Sequence, residues 1–110
     1  MAAQKKTDAP LLPAYLVVGE DALKRDAVMK RLRARLSAMG DLSFNDDSFD
    51  GETAEGADIV GAGDTVPFAS PVRLVEVRAA DKLKKADAER LVSYLGAPNG
   101  STGLALVAEK

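Results

Sequence analysis

An α/β fold, a parallel sheet with helices on both faces in three layers, is predicted for this chain by three observations. Short apolar runs alternate along the sequence with longer segments whose apolar residues recur at helical spacing. The helical segments close on glycine, at Gly40 and Gly96. The runs "AYLVVG", "VRLVEV" and "TGLALVA" are near-continuously apolar, as strands buried on both faces are. Strand, helix, strand, helix, strand, helix, strand in that order calls for right-handed crossovers and a sheet covered on both sides.

Each element has its own justification. Residues 1–12 read as a loose tail and 13–110 as one domain. "AYLVVG" (14–19) is the first strand. In the helix predicted over 20–39, Val28, Leu32, Leu36 and Met39 recur at spacings of four, four and three, with Met29 beside them. Glu20 and Asp21 sit at its start, where negative charge meets the positive end of the helix dipole. "SFNDDSF" (43–49) is a weaker strand, supported mainly by Phe44 and Phe49. A helix is expected over 51–65 and a strand over 72–77. Next comes a helix over 84–96 with Ala88, Leu91, Val92 and Leu95 on one face. "PNGS" (98–101) has turn chemistry before a last buried strand at 102–108.

Composition excludes whole classes of chemistry. The chain has 110 residues, no Cys and no His, so disulfides, thiolate nucleophiles, the usual zinc sites and Ser-His-Asp triads are out. No segment is long enough to span a membrane, and the N-terminal run is too short and broken for a signal peptide. An intracellular, cytoplasmic protein without cofactor or metal is expected. The formal net charge of -2 conceals an asymmetry. Lys24, Arg25, Lys30, Arg31, Arg33 and Arg35 crowd one segment. From Asp41 to Ser70 there is no basic residue, whereas eight acidic ones fall there. A nucleic-acid-binding helix over 24–35 is one reading of the basic cluster. The simpler one is a solvated helix face.

Three stretches invite a site. At Gly19, where a phosphate-cradling loop would stand, the positions needing Gly, Lys and Ser or Thr hold Lys24, Arg25 and Asp26. An Asp there repels a triphosphate, so nucleotide hydrolysis is rejected. Asp46, Ser48, Asp50 and Gly51 match part of a calcium loop, but its twelfth position is Ala57, which cannot supply a bidentate carboxylate. An acidic enzyme site around Asp46 to Glu52 stays as an alternative. In "DTVPFASPVRLVEV", Pro67 ends the preceding helix, and Phe68 emerges in a connection, the kind of segment that serves partners. Phe68 is either displayed or folded back onto the sheet, and spacing leaves both open.

"AYLVVGEDALKRDAVMKRL", "FNDDSFDGE", "DTVPFASPVRLVEVRAADKL" and "LVSYLGAPNGSTGLALVAEK", in that order, resemble the N-terminal domain of the bacterial DNA polymerase III delta subunit, a clamp-loader subunit. The resemblance runs from about Ala14 to Lys110. It is most specific at Thr65-Val66-Pro67-Phe68 with Arg73-Leu74-Val75, and at the turn holding Pro98, Asn99, Ser101 and Thr102. It implies an AAA+-type domain of P-loop-NTPase-like fold without a functional P-loop, truncated after its fourth strand. It also implies a non-catalytic role, in which Thr65, Val66, Pro67 and Phe68 contact the beta sliding clamp and help to open it. Other clamp-loader subunits would be bound through further domains, and DNA would be met only within the complex. Some members carry Gln at the head of this motif and Leu before the Phe; here Gly63 and Pro67 stand there. A sheet edge left uncovered by such a fragment would invite self-association.

Overall fold

The computed structural model describes residues 10–110. Strand β1 (Ala14–Val18) leads to helix α1 (Ala22–Ser37), strand β2 (Asp46–Asp50) and helix α2 (Gly56–Gly63). Strand β3 (Arg73–Arg78), a 3-10 turn (Ala80–Lys82), helix α3 (Lys85–Leu95) and strand β4 (Thr102–Ala108) follow. All three ladders are parallel, and the spatial order is β1-β4-β3-β2. The expected α/β architecture therefore holds, with the two most buried strands, β4 and β3, in the middle of the sheet. Of the tail expected over 1–12, residues 1–9 lie outside the described residues, while Leu11 packs onto the core.

Register assigns each apolar side chain to a layer. Leu74 and Val75 are consecutive in β3 and so point to opposite faces. On one face Leu74 joins Val17, Ala105 and Val107 beneath Met29, Leu32 and Leu36 of α1. On the other, Val75, Val77 and Leu104 meet Ile59 of α2 with Leu91 and Tyr94 of α3. Asp21 caps α1, its carboxylate accepting from the backbone N–H of Leu23 at 2.9 Å and of Lys24 at 3.3 Å. The start of α2 is capped from another element: the Gly56 N–H donates to Oδ1 of Asp87 in α3 at 2.9 Å. A side chain on Gly56 would stand 2.8 Å from the Asp87 carbonyl, so these helices cross at a distance only glycine permits.

Four expectations need correction. The buried stripe of α1 is Met29, Leu32 and Leu36; Val28 is exposed and Met39 only half-buried. Both stripes fit a helical period, and the position of the sheet selects the one shifted by a residue. In α3 the buried residues are Leu91 and Tyr94, whereas Val92 is exposed and Leu95 half-buried. The second strand begins at Asp46, which leaves Phe44 outside it, in a turn closed by Asn45 N–H to the Leu42 carbonyl at 3.1 Å. Helix α2 begins at Gly56 because Asp50 gathers the amides before it. Its carbonyl accepts from Thr53 and Ala54, and its side chain from Glu52.

A further expectation, burial of the strand at 14–19 on both faces, also fails, because β1 forms one edge of the sheet and only its Val17 is buried. Its Leu16 and Val18, paired in register with Leu106 and Ala108, lie on the face carrying α2 and α3 but beyond their cover, 72% and 50% exposed. Along the same edge runs a groove of about 430 Å³ whose lining includes Leu12, Leu16, Val28, Arg31 and Arg35.

Candidate functional site

In a parallel sheet all strands start at one end, so the loops 38–45, 64–72 and 96–101 gather at the amino edge. The segment carrying Thr65, Val66, Pro67 and Phe68 leaves α2 there, and its departure is fixed from below. The carbonyl of Gly63 accepts three hydrogen bonds, from Thr102 Oγ1 at 2.8 Å, Asn99 Nδ2 at 3.2 Å and the Tyr94 hydroxyl at 3.3 Å. Asn99 and Thr102 belong to the turn that stands out in the sequence. Their work is to hold the end of α2. Thr65 Oγ1 donates to the Gly61 carbonyl at 2.7 Å, tying the next residue to the same helix. Burial pushes the Tyr94 phenol up from its ordinary pKa, against the hydrogen bond it accepts from the Asn99 N–H.

Past Thr65 the chain turns outward. Val66 is 78% exposed, Pro67 half-buried and Phe68 67% exposed. Of the two orientations open for Phe68, the displayed one is found. Its backbone is clamped by a side chain 23 residues away. Asn45 Oδ1 accepts the Phe68 N–H at 2.6 Å, and Asn45 Nδ2 donates to the Phe68 carbonyl at 2.9 Å. Asn45 is 1% exposed, and its Nδ2 also donates to the Asp41 carbonyl at 2.9 Å. Ala69 follows in the left-handed region with φ 51°, bending the chain back toward β3.

Phe44 lies beside this loop. Its ring meets that of Phe68 edge to face, with centroids 6.1 Å apart and planes at 90°, and it is 73% exposed. Sequence reasoning placed Phe44 in a strand and did not single out Asn45. The signal was present, since Asp41, Ser43 and Asn45 around Phe44 are turn formers. The Ser43 N–H does donate to Asp41 Oδ1 at 2.8 Å. Hydrogen bonds from the Ser43 hydroxyl and then its backbone hold the Asp41 carboxyl below its usual range, so it is charged at neutral pH.

Arg73, at the start of β3, joins the two loops from inside. Its guanidinium donates to Asp47 at 2.6 Å and to Asn45 Oδ1 at 3.3 Å. The Arg73 side chain is 8% exposed, and its Nε has no partner.

The other candidate regions are taken apart by the fold. Asp46 and Asp47 point to opposite faces of β2: Asp46 pairs with Arg33 of α1 and Asp47 with Arg73. Arg33 also reaches Glu76 at 2.7 Å, and the hydrogen bond with Asp46 holds its guanidinium pKa above the ordinary value. The acidic run 46–52 therefore does not converge, and among the described residues no three acidic groups are placed to hold a metal ion. In the basic segment, Arg25 and Arg33 are drawn into internal contacts, while Lys24, Lys30, Arg31 and Arg35 remain exposed. At the carboxyl edge, the Arg25 guanidinium folds back onto the Gly19 carbonyl. The helix amides that would face a phosphate are occupied by Asp21.

Against known proteins, the family model described as DNA polymerase III, delta subunit, matches residues 15–110. The chain belongs to the DNA polymerase III delta subunit family. That is a family of the DNA replication machinery, as the resemblance implied. No curated protein matches the chain. Two solved structures share the fold of this delta-family chain. The Bacillus subtilis DNA clamp loader delta protein superposes with a TM-score of 0.72 at 24% identity, covering 99% of this chain and 34% of its own. A DNA polymerase III gamma subunit-related protein from Thermotoga maritima gives 0.75 at 16% identity, covering 98% and 38%. The delta-family chain thus spans about a third of the length of each protein. Among its described residues no helix is long and apolar enough to cross a membrane.

Proposed function

We propose that this domain binds a ring-shaped sliding clamp as part of a cytoplasmic clamp loader, with Phe68 as the inserted side chain. The carrying observation is a large apolar ring, 67% exposed, on a loop whose backbone is hydrogen-bonded on both sides of that residue. Val66 adds exposed apolar surface, Pro67 stiffens the approach, and Thr65 ties the motif to α2. Ring opening follows if Phe68 fits better in the clamp conformation incompatible with closure. The shift can be no larger than that difference in affinity.

No bond is made or broken by this domain in that scheme. ATP hydrolysis falls to other subunits of the loader, which contact this protein through parts outside this chain, and DNA is met only in the assembly. The test is titration of the folded chain against a bacterial sliding clamp. Phe68→Ala should weaken binding by about 2 kcal/mol or more, roughly thirtyfold. Unchanged affinity in the folded variant would refute the assignment. A nucleic-acid contact through Lys24 to Arg35 would instead fall steeply with added salt, a dependence that an apolar contact lacks.

A further inference from the structure

We propose that Phe44 is a second contact residue of the same surface, so that the partner receives two rings held at right angles. The inference rests on the clamp reading and gives that contact its shape. The chain has three phenylalanines. Phe49 packs into the core beside α2 and α3, whereas Phe44 and Phe68 are 73% and 67% exposed and pack against each other. One exposed phenylalanine is unremarkable on a protein surface. Two that converge from separate crossovers, before β2 and before β3, form a continuous apolar feature that water solvates poorly.

The pair is also pre-organised. Asn45 directly follows Phe44 in the chain, and both of its side-chain functions grip the backbone of Phe68. The two rings are thereby fixed relative to one another by hydrogen bonds buried beneath them. A partner meeting this surface does not have to order either loop, and the binding energy of the rings is not spent on that. Aromatic anchors set next to each other on a rigid base are the arrangement from which binding hot spots are built. Neither loop, 38–45 or 64–72, contains a Lys or Arg, while each carries an exposed carboxylate, Asp41 in one and Asp64 in the other. The receiving groove therefore needs an apolar floor wide enough for both rings and a rim without acidic groups.

The test is a titration series against the sliding clamp with wild type, Phe44→Ala, Phe44→Tyr and Phe68→Ala, each checked by thermal melting. Phe44 supports no core packing, so Phe44→Ala should melt with the wild type. It should bind at least tenfold more weakly, and Phe44→Tyr should bind within threefold of wild type. If Phe68→Ala abolishes binding while Phe44→Ala stays within twofold of wild type, the two-ring contact is wrong and the clamp reading stands. If wild type binds and neither alanine variant matters, both are wrong, and the same holds if the folded wild type does not bind.

Discussion

Replacing Asp47 by Ala would strand the buried positive charge at the start of β3. Arg73 is 8% exposed at its side chain and has one carboxylate partner, Asp47, at 2.6 Å. Its Nε is already without a partner, so little remains to solvate the guanidinium once that carboxylate is gone. Removing one member of a buried pair costs about 3–5 kcal/mol. Asp47 itself is 39% exposed, and water entering the vacated space screens part of the charge. The expected loss is therefore about 2–3 kcal/mol. For 110 residues the unfolding entropy is on the order of 0.23 kcal/mol/K near 60 °C, so Tm should fall by roughly 9–13 °C. Urea denaturation and calorimetry on Asp47→Ala measure both quantities. The double variant Asp47→Ala with Arg73→Met separates the causes, since it removes the stranded charge and should return to within about 1 kcal/mol of wild type. A loss below about 0.5 kcal/mol in Asp47→Ala would refute the reasoning. So would a double variant no better than the single one.

The remaining expectations each have a direct measurement. Asn45→Ala should cost about 2–4 kcal/mol through buried groups left unpaired. It should also speed amide exchange at Phe68 at least tenfold, read by NMR. Gly51→Ala places a methyl group against the Ala79 carbonyl, and chemical denaturation should show a loss of about 1–3 kcal/mol. The pKa of Tyr94 is higher in the folded chain than in the unfolded one, so its contribution is complete below about pH 10 and is lost as pH rises through the folded value. Tyr94→Phe should flatten that alkaline decline relative to wild type, at about 1 kcal/mol for the weak hydrogen bonds it gives up. Sedimentation of this 110-residue chain should show concentration-dependent self-association through the β1 edge, and Leu16→Lys should suppress it.

β3 and β4 could be read directly because a central strand is apolar on both faces, and "VRLVEV" and "TGLALVA" carry that pattern with little ambiguity. β2 could not, because an edge strand of composition "DDSFD" buries little, and the nearby Phe44 looked like supporting evidence. In α1, Val28 and Met29 are adjacent and equally suited to a helical stripe; only the direction of the sheet separates them. Tyr94 lies outside the face predicted for α3, and the partner that suits its hydroxyl to a core, the Gly63 carbonyl, lies 31 residues earlier. The candidate site followed the same rule. Pro67 and Phe68 stood out by residue type and by family resemblance, but the direction in which Phe68 points depends on Asn45. A local pattern does not contain a hydrogen bond between two loops.

The amino edge and the carboxyl edge of the sheet are separated by strands of five to seven residues, roughly 17–23 Å. Everything that a nucleotide site would require lies at one end, and the displayed aromatic rings lie at the other. Substitutions at Gly19, Lys24 or Asp26 therefore leave the Phe44–Phe68 surface unaffected, provided the strands between them stay packed. The two poles of the domain can thus change without reference to each other, with the sheet as an inert spacer between them.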